Sequence, residues 1–175
     1  NKKINKSDIL IIVAGAIGLI TSIILNNKNI NKITILDINN NRLNECKKYT
    51  NAKMYQPDNK KINKNSYDII YDAVGSSKTR KMSIDLIKHG GLITHIGLAA
   101  IDGGVDYIKF TRKEIKLIGS YAYTNKEFAQ SLSMILNNKL GNLGWINFCS
   151  LKDGESIFSS INKGDIVAPK TILIP

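Results

Sequence analysis

Asp8-Ile9-Leu10-Ile11-Ile12-Val13-Ala14-Gly15-Ala16-Ile17-Gly18-Leu19-Ile20, followed shortly by Ile33-Thr34-Ile35-Leu36-Asp37, is the stretch that decides the fold. The unbroken apolar run from Ile9 to Val13 reads as a strand buried on both faces, because a half-buried strand would alternate. It stops at a small-residue turn that opens into a helical period, with Ile17, Ile20, Ile23 and Ile24 on one face and Asn26-Asn27-Lys28-Asn29 as a polar stop. A second strand over 32–36 closes on Asp37. A turn of this kind lets the backbone N–H groups at a helix start approach a pyrophosphate, and an acidic residue ending the second strand can accept hydrogen bonds from a ribose. Gly18 and Asp37 stand 19 residues apart, against roughly 20 in a dinucleotide fingerprint.

The fingerprint departs from its pattern at one place. In register, G-x-G-x-x-G falls on Val13, Gly15 and Gly18, so a valine replaces the first glycine. That glycine serves the tight turn, and a β-branched residue adopts positive φ only at a cost. Either the turn here needs no such dihedral, or it is shortened and Gly15 takes the first role.

Working outward, the chain repeats the alternation. A surface helix over 39–49 carries Leu43 and Cys46 inward, and a short strand at 53–55 is followed by an aperiodic polar stretch, 56–66. A fourth strand, Tyr67-Asp68-Ile69-Ile70-Tyr71-Asp72, leads through Ala73-Val74-Gly75 to a helix over 78–88 resting on Met82, Leu86 and His89. His89-Gly90-Gly91 reads as its stop, before a fifth strand over 92–97. An irregular connection, 99–113, precedes a sixth strand over 114–120. These elements predict an α/β fold: a doubly wound, parallel, six-stranded Rossmann sheet with a C-terminal helical and strand extension. The division expected is 1–121 for the nucleotide-binding unit and 122–175 for the extension. The latter reads as an amphipathic helix over 125–139 capped near Asn125, a short strand at 145–148, a helix capped by Asp153 and ended by Lys163-Gly164, and an orphan last strand over 170–174.

Bulk properties exclude several classes. The 175 residues are 43% hydrophobic, enough for one domain with a core or a domain plus an extension. No segment approaches the roughly 20 apolar residues of a membrane span, and the polar start does not read as a signal peptide, so a cytoplasmic protein without a membrane partner is expected. The net charge of +11 comes from 25 basic residues of which only Arg42, Arg80 and Arg112 are arginines. The lysines are dispersed over loops and helix faces, which is a solvated surface and not a specific nucleic-acid site. Cys46 and Cys149 lie far apart without neighbouring ligands, which argues against a disulfide framework or zinc site and for buried thiols. His95, near the carboxyl end of a strand, reads as a packed strand histidine or a cofactor contact. Ser76, Ser77, Tyr121 and Tyr123 are similarly placed and receive no catalytic role.

With these residues in hand, the chain resembles the medium-chain dehydrogenase/reductase family, on its zinc-dependent alcohol and polyol dehydrogenase branch. The resemblance is carried by Gly15-Ala16-Ile17-Gly18-Leu19, by Asp37 followed by Arg42-Leu43, and by Tyr67-Asp68-Ile69-Ile70-Tyr71-Asp72-Ala73-Val74-Gly75. Gly90-Gly91-Leu92 with Ile96-Gly97-Leu98, and Ser156-Ile157-Phe158 through Gly164 to Lys170-Thr171-Ile172-Leu173, continue it to the end of the chain.

The resemblance implies that Gly15, Ala16, Ile17 and Gly18 face the pyrophosphate, that Asp37 holds the adenosine ribose with Arg42 beside it, and that Val74, Gly97 and Leu98 line the path to the nicotinamide. An acidic residue at Asp37 favours NAD over NADP, and Arg42 blunts that preference. It implies no catalytic residue here: the family's zinc, which polarises a developing alkoxide, is held largely by an N-terminal catalytic domain that these residues do not match. The chain is thus expected to be the coenzyme-binding part of an oxidoreductase acting on a small alcohol or polyol, to bind cofactor without turning over alone, and to pair as a homodimer through the sixth strand. The apolar residues Phe158, Ile161 and Ile172 to Ile174 should then lack their usual cover. Two alternatives stand beside this reading: a stand-alone nucleotide-sensing module without catalysis, and a scaffold that has lost its cofactor at Val13.

Overall fold

The computed structural model describes residues 4–175; the first residues of the expected 1–121 unit lie outside the described part. Six strands form one parallel sheet in the spatial order β3 (Lys53–Tyr55), β2 (Ile33–Leu36), β1 (Ile9–Ile12), β4 (Tyr67–Asp72), β5 (Ile87–His95), β6 (Lys116–Gly119), the doubly wound arrangement predicted. β1 (Ile9–Ile12) occupies its centre, pairing in register with β2 (Ile33–Leu36) on one side and β4 (Tyr67–Asp72) on the other. All four residues of β1 are buried. Their alternation assigns them to two cores: Ile9 and Ile11 pack with Leu19, Ile23 and Leu43 under α1 (Ala16–Asn27) and α2 (Asn40–Cys46). Leu10 and Ile12 pack with Ile84, Leu86 and Ile93 under α3 (Ser77–Leu86). A strand covered on both faces has no polar face, which is why its sequence is an unbroken apolar run.

β3 (Lys53–Tyr55) and β6 (Lys116–Gly119) form the two rims. The structure corrects the expected boundary between the third helix and the fifth strand. α3 ends at Leu86, and Ile87 is already extended as the first residue of β5 (Ile87–His95). Tyr67 pairs with Ile87 and Ile69 with Leu92, so the residues between form a bulge with Gly90 at φ 69°, and the exposed His89 sits in it instead of at a helix end. The connection 99–113 is not irregular throughout: Asp106 accepts from the Lys109 N–H and starts α4 (Tyr107–Arg112).

After β6 the architecture changes. α5 (Asn125–Leu136) is capped by Thr124, not Asn125, through a reciprocal box with Glu127. α6 (Gly154–Lys163) ends, as expected, at Gly164 with φ 80°, but Asp153 makes no side-chain cap bond at its start. The last strand is not an orphan: β8 (Lys170–Ile174) pairs in parallel with β7 (Ile146–Ser150), making a small second sheet crossed by α6. Leu140 and Trp145 tie this segment to the core under α1. Phe158 is 63% exposed and Ile161, Ile172 and Ile174 between 37% and 49%, so the expected uncovered face is present except at Leu173, which is half-buried. Among the described residues no helix is long and apolar enough to cross a membrane.

Candidate dinucleotide site

Strands β1 and β4 are neighbours in space but their connections run to opposite faces, and in open α/β sheets ligands bind in the crevice at that switch point, beyond the carboxyl ends of the strands. Gly15, Asp37 and Val74 follow the carboxyl ends of β1, β2 and β4 along this edge, with Gly18 inside α1 and Arg42 inside α2. Gly15 is the N-cap of α1, with extended backbone and no side chain capping the helix, so the amides of Ala16 and Ile17 begin a helix whose positive end is open. A Cβ on Gly15 would meet only the Val13 side chain, at 3.8 Å, whereas one on Gly18 would overlap the Val13 carbonyl oxygen. Gly18 is therefore required for helix-to-strand packing, and Gly15 leaves the turn's outer surface free.

Both ways of sparing Val13 are overturned. The turn does need the unusual dihedral, and Val13 adopts it, at φ 114°. A β-branched residue there stores strain of about 1–3 kcal/mol. Its N–H donates to the Leu36 carbonyl at 2.8 Å, and the next amide, Ala14, donates to Asp37 Oδ2 at 2.8 Å. These two bonds hold the turn against the end of β2.

Asp37 is 6% exposed, and its other oxygen accepts from the Asn39 N–H at 2.8 Å. The carboxylate thus welds the β1 turn to the start of α2, with lone pairs left toward the crevice. Asn39 in turn caps α2 with Oδ1 and donates through Nδ2 to the Gly164 carbonyl, at 3.2 Å, joining this corner to the end of α6. The Arg42 guanidinium has no hydrogen-bond or ion-pair partner among the described residues and borders two cavities. One, of about 430 Å³, is lined by Val13, Asp37, Arg42, Val74, Lys78 and Met82. The other, of about 390 Å³, lies between Gly15 and the C-terminal segment, against Phe158, Ile161 and Leu173. The wall from the C-terminal segment was not legible in the sequence, because nothing local reports that it folds back over Gly15.

At the far end of the edge, the loops after β4 and β5 cross at contact distance. A Cβ on Gly75 would overlap the Gly97 carbonyl, and one on Gly97 would overlap the Val74 backbone. Ala99 N–H donates to the Val74 carbonyl at 3.0 Å, locking the crossing, while Leu98 is 75% exposed beside it. Arg80, not singled out from sequence, clamps the same loops by donating to the carbonyls of Gly75, Ala100, Asp102 and Gly103.

The remaining candidates have structural posts. Ser76 caps α3 together with Thr79, and Ser77 donates to the Asp102 carbonyl. Tyr121 and Tyr123 are exposed. Cys46 is buried and donates to the Ala14 carbonyl; burial, then the charges of Asp37 and Glu45, push its thiol up to about 12, so it is no nucleophile. Cys149 is half-buried, less than expected. Among the described residues no group of three or more His, Cys, Asp or Glu is placed to hold a metal ion.

An uncapped helix start, a buried acid at the end of the next strand and a crevice at the switch point mark a candidate nucleotide site on an α/β protein of the doubly wound class. The comparisons carry this further. The model of the zinc-binding dehydrogenase family matches residues 16–137, and the chain belongs to that family, as the coenzyme-binding half of the medium-chain type. It is 26% identical to D-altritol 5-dehydrogenase of Agrobacterium fabrum over 129 residues, 72% of this chain and 38% of that one. It is 22% identical to D-xylulose reductase A of Aspergillus oryzae over 164 residues, 86% of this chain and 46% of that one. Acetophenone reductase from Geotrichum candidum, solved in complex with NAD, superposes with a TM-score of 0.82 at 20% identity, covering 93% of this chain and 47% of that one. The chain spans half or less of the length of these relatives.

Proposed function

We propose that this chain is the coenzyme-binding part of an NAD(H)-dependent alcohol or polyol dehydrogenase. The observation that carries the reading is the open N-terminus of α1 at the switch point, with Asp37 anchored one strand away. In this reading the amides of Gly15, Ala16, Ile17 and Gly18 hold the pyrophosphate, and the free lone pairs of Asp37 accept from the adenosine ribose. Arg42 covers the adenosine from the α2 side, and Val74, Gly97 and Leu98 wall the nicotinamide. The nicotinamide, when bound, supplies the hydride acceptor; these residues bind and orient it and exclude water from one face. The Asp37 charge opposes a 2′-phosphate, which favours NAD over NADP.

Residues 122–175 return, in this proposal, to complete a catalytic unit whose zinc ligands belong to an N-terminal domain, and the chain alone does not turn over a small alcohol or polyol. The exposed rim of β6 serves as the homodimer edge, and the assembled enzyme works in the cytoplasm. Support for a second domain comes from the half-length match to the relatives and from the apolar face left open on the C-terminal segment.

The test is titration with NADH and NADPH separately. NADH should bind tighter, and Asp37→Ala should weaken it about tenfold or more, since a buried acceptor is lost. Because Asp37 also holds the turn, circular dichroism must show the variant folded, and Gly15→Val, which fills the free side of the turn, should abolish binding in a folded protein. Binding of neither nucleotide by the folded wild-type chain would overturn the proposal.

A further inference from the structure

A second acidic group lies beneath the nicotinamide end, and one of its oxygens is used by none of the residues above. Asp72, the last residue of β4, is fully buried, and its two oxygens differ in their surroundings. Oδ1 accepts from the amides of Val74 and Gly75 at 3.1 and 2.9 Å, shaping the start of the crossing loop. Oδ2 is buried and has no hydrogen-bond partner among the described residues. The same holds for Nε2 of His95, the last residue of β5, which stands opposite Asp72 in the sheet register. Both side chains, with Arg80, line one small cavity of about 20 Å³.

That volume suits a single water, which needs at least about 10–15 Å³ and two or more polar partners. An unsatisfied carboxylate oxygen in the interior is costly, and here the remedy has both the room and the partners. The backbone consequences are local and specific. The Asp72 carbonyl accepts from the amides of Ile96 and Gly97 at 2.8 and 3.0 Å, and the His95 carbonyl accepts from Ser120 at 3.0 Å. Whatever fixes Asp72 relative to His95 therefore fixes the crossing of Val74 over Gly97, while the adenosine corner at Asp37 has its own independent bonds.

We infer that one buried water joins Asp72 Oδ2 to His95 Nε2, and that this bridge makes His95 a positioning residue for the nicotinamide end of the site. The water donates one O–H to Asp72 and meets Nε2 with its other hydrogen or a lone pair, according to the imidazole tautomer. The inference rests on the dinucleotide reading above and adds to it a division of labour: one acid, Asp37, serves the adenosine end, and a second, Asp72 acting through His95, serves the nicotinamide end.

Calorimetric titration with two ligands separates these ends: NADH, and ADP-ribose, which lacks the nicotinamide ring. His95→Leu should weaken NADH about tenfold while leaving ADP-ribose within about twofold, and His95→Gln, which keeps a polar group toward the cavity, should restore most of the loss. A crystal structure of the wild type should show the water between the two side chains. Unchanged NADH affinity in His95→Leu would overturn the inference, and so would equal weakening of both ligands, the mark of a merely structural residue. A cavity without the water in that crystal would overturn it as well. Wild-type protein that bound ADP-ribose and NADH would keep the dinucleotide reading through any of those failures; binding of neither would sink both.

Discussion

The six-stranded sheet and the segment after it draw on the same apolar residue types and spend them differently. In the sheet, Ile9, Leu10, Ile11, Ile33 and Ile35 are all within 1% of complete burial. In the later segment neither α5 nor α6 has a buried residue, although α5 carries Phe128, Leu132, Ile135 and Leu136 at helical spacing, all at least 43% exposed. Leu140 and Trp145 are the segment's buried contributions to the common core, and Met134, Leu143 and Ile146 pack against that core half-buried. A clear amphipathic pattern thus states that a face is meant to be covered, and says nothing about whether its own neighbours cover it.

The largest expected effect tests this contrast directly. Ile11→Ala should cost about 3 kcal/mol in urea denaturation, as buried isoleucine truncation does, whereas Phe158→Ala should cost less than about 1 kcal/mol because so little of its surface leaves water. Equal losses would mean that the two regions are equally consolidated. Trp145→Ala sharpens the boundary between them. It should cost about 3 kcal/mol, and hydrogen exchange should accelerate in β7 and β8 more than in β1, since this ring is one of two buried side chains that the segment places in the core under α1. Smaller still is Val13→Gly, which relieves strain of about 1–3 kcal/mol and adds glycine's entropic cost of roughly 0.5–1 kcal/mol, for a net gain on the order of 1 kcal/mol in thermal stability.

The smallest effect lies at the foot of the sheet. Lys88 meets Asp8 at 3.0 Å and Asp68 at 2.9 Å, and Asp68 also accepts from the Asp8 amide at 2.7 Å. Burial works to raise the Asp68 pKa, but the Asp8 amide and Lys88 outweigh it and hold the carboxyl below its ordinary 3.8. A depressed carboxyl adds stability above its unfolded value and loses it as pH falls through the folded one. Asp68→Asn should therefore be less stable than wild type at pH 7 by under about 1 kcal/mol, because the pair is partly exposed, and the gap should close toward pH 3. A gap that persisted in acid would assign the effect to packing.

The inner strands β1, β2 and β4 were legible because burial on two faces leaves a signature within four to six residues, and Asp72, Gly18 and Asp37 could be placed from it. What escaped was non-local or ambiguous. His89-Gly90-Gly91 suits a helix stop and a strand bulge equally well, and only the pairing with β4 decides between them. Thr124 and Glu127 spelled a capping box that the neighbouring Asn125 obscured. α4 is only six residues long, less than two turns, so no helical period has room to show. At the candidate site, Asp37, Arg42 and Val74 line one cavity and Gly15 and Arg42 the other, while Gly18 packs beneath the Val13 carbonyl and Gly97 against the Val74 backbone. The φ of Val13, the amides on Asp37 and the shared cavity of Asp72 and His95 arise from contacts between distant segments, which periodicity does not encode.

The central place of β1 sets a schedule for folding. Ile9 pairs with Ile33 and also with Ile69, sixty positions along the chain. As the ribosome releases the polypeptide, the most water-averse tetrapeptide emerges before either of its pairing strands and keeps one flank unprotected until the fourth strand arrives. Parallel pairing over such separations is slow and leaves intermediates prone to sticking, so the yield of refolded protein should fall as its concentration rises.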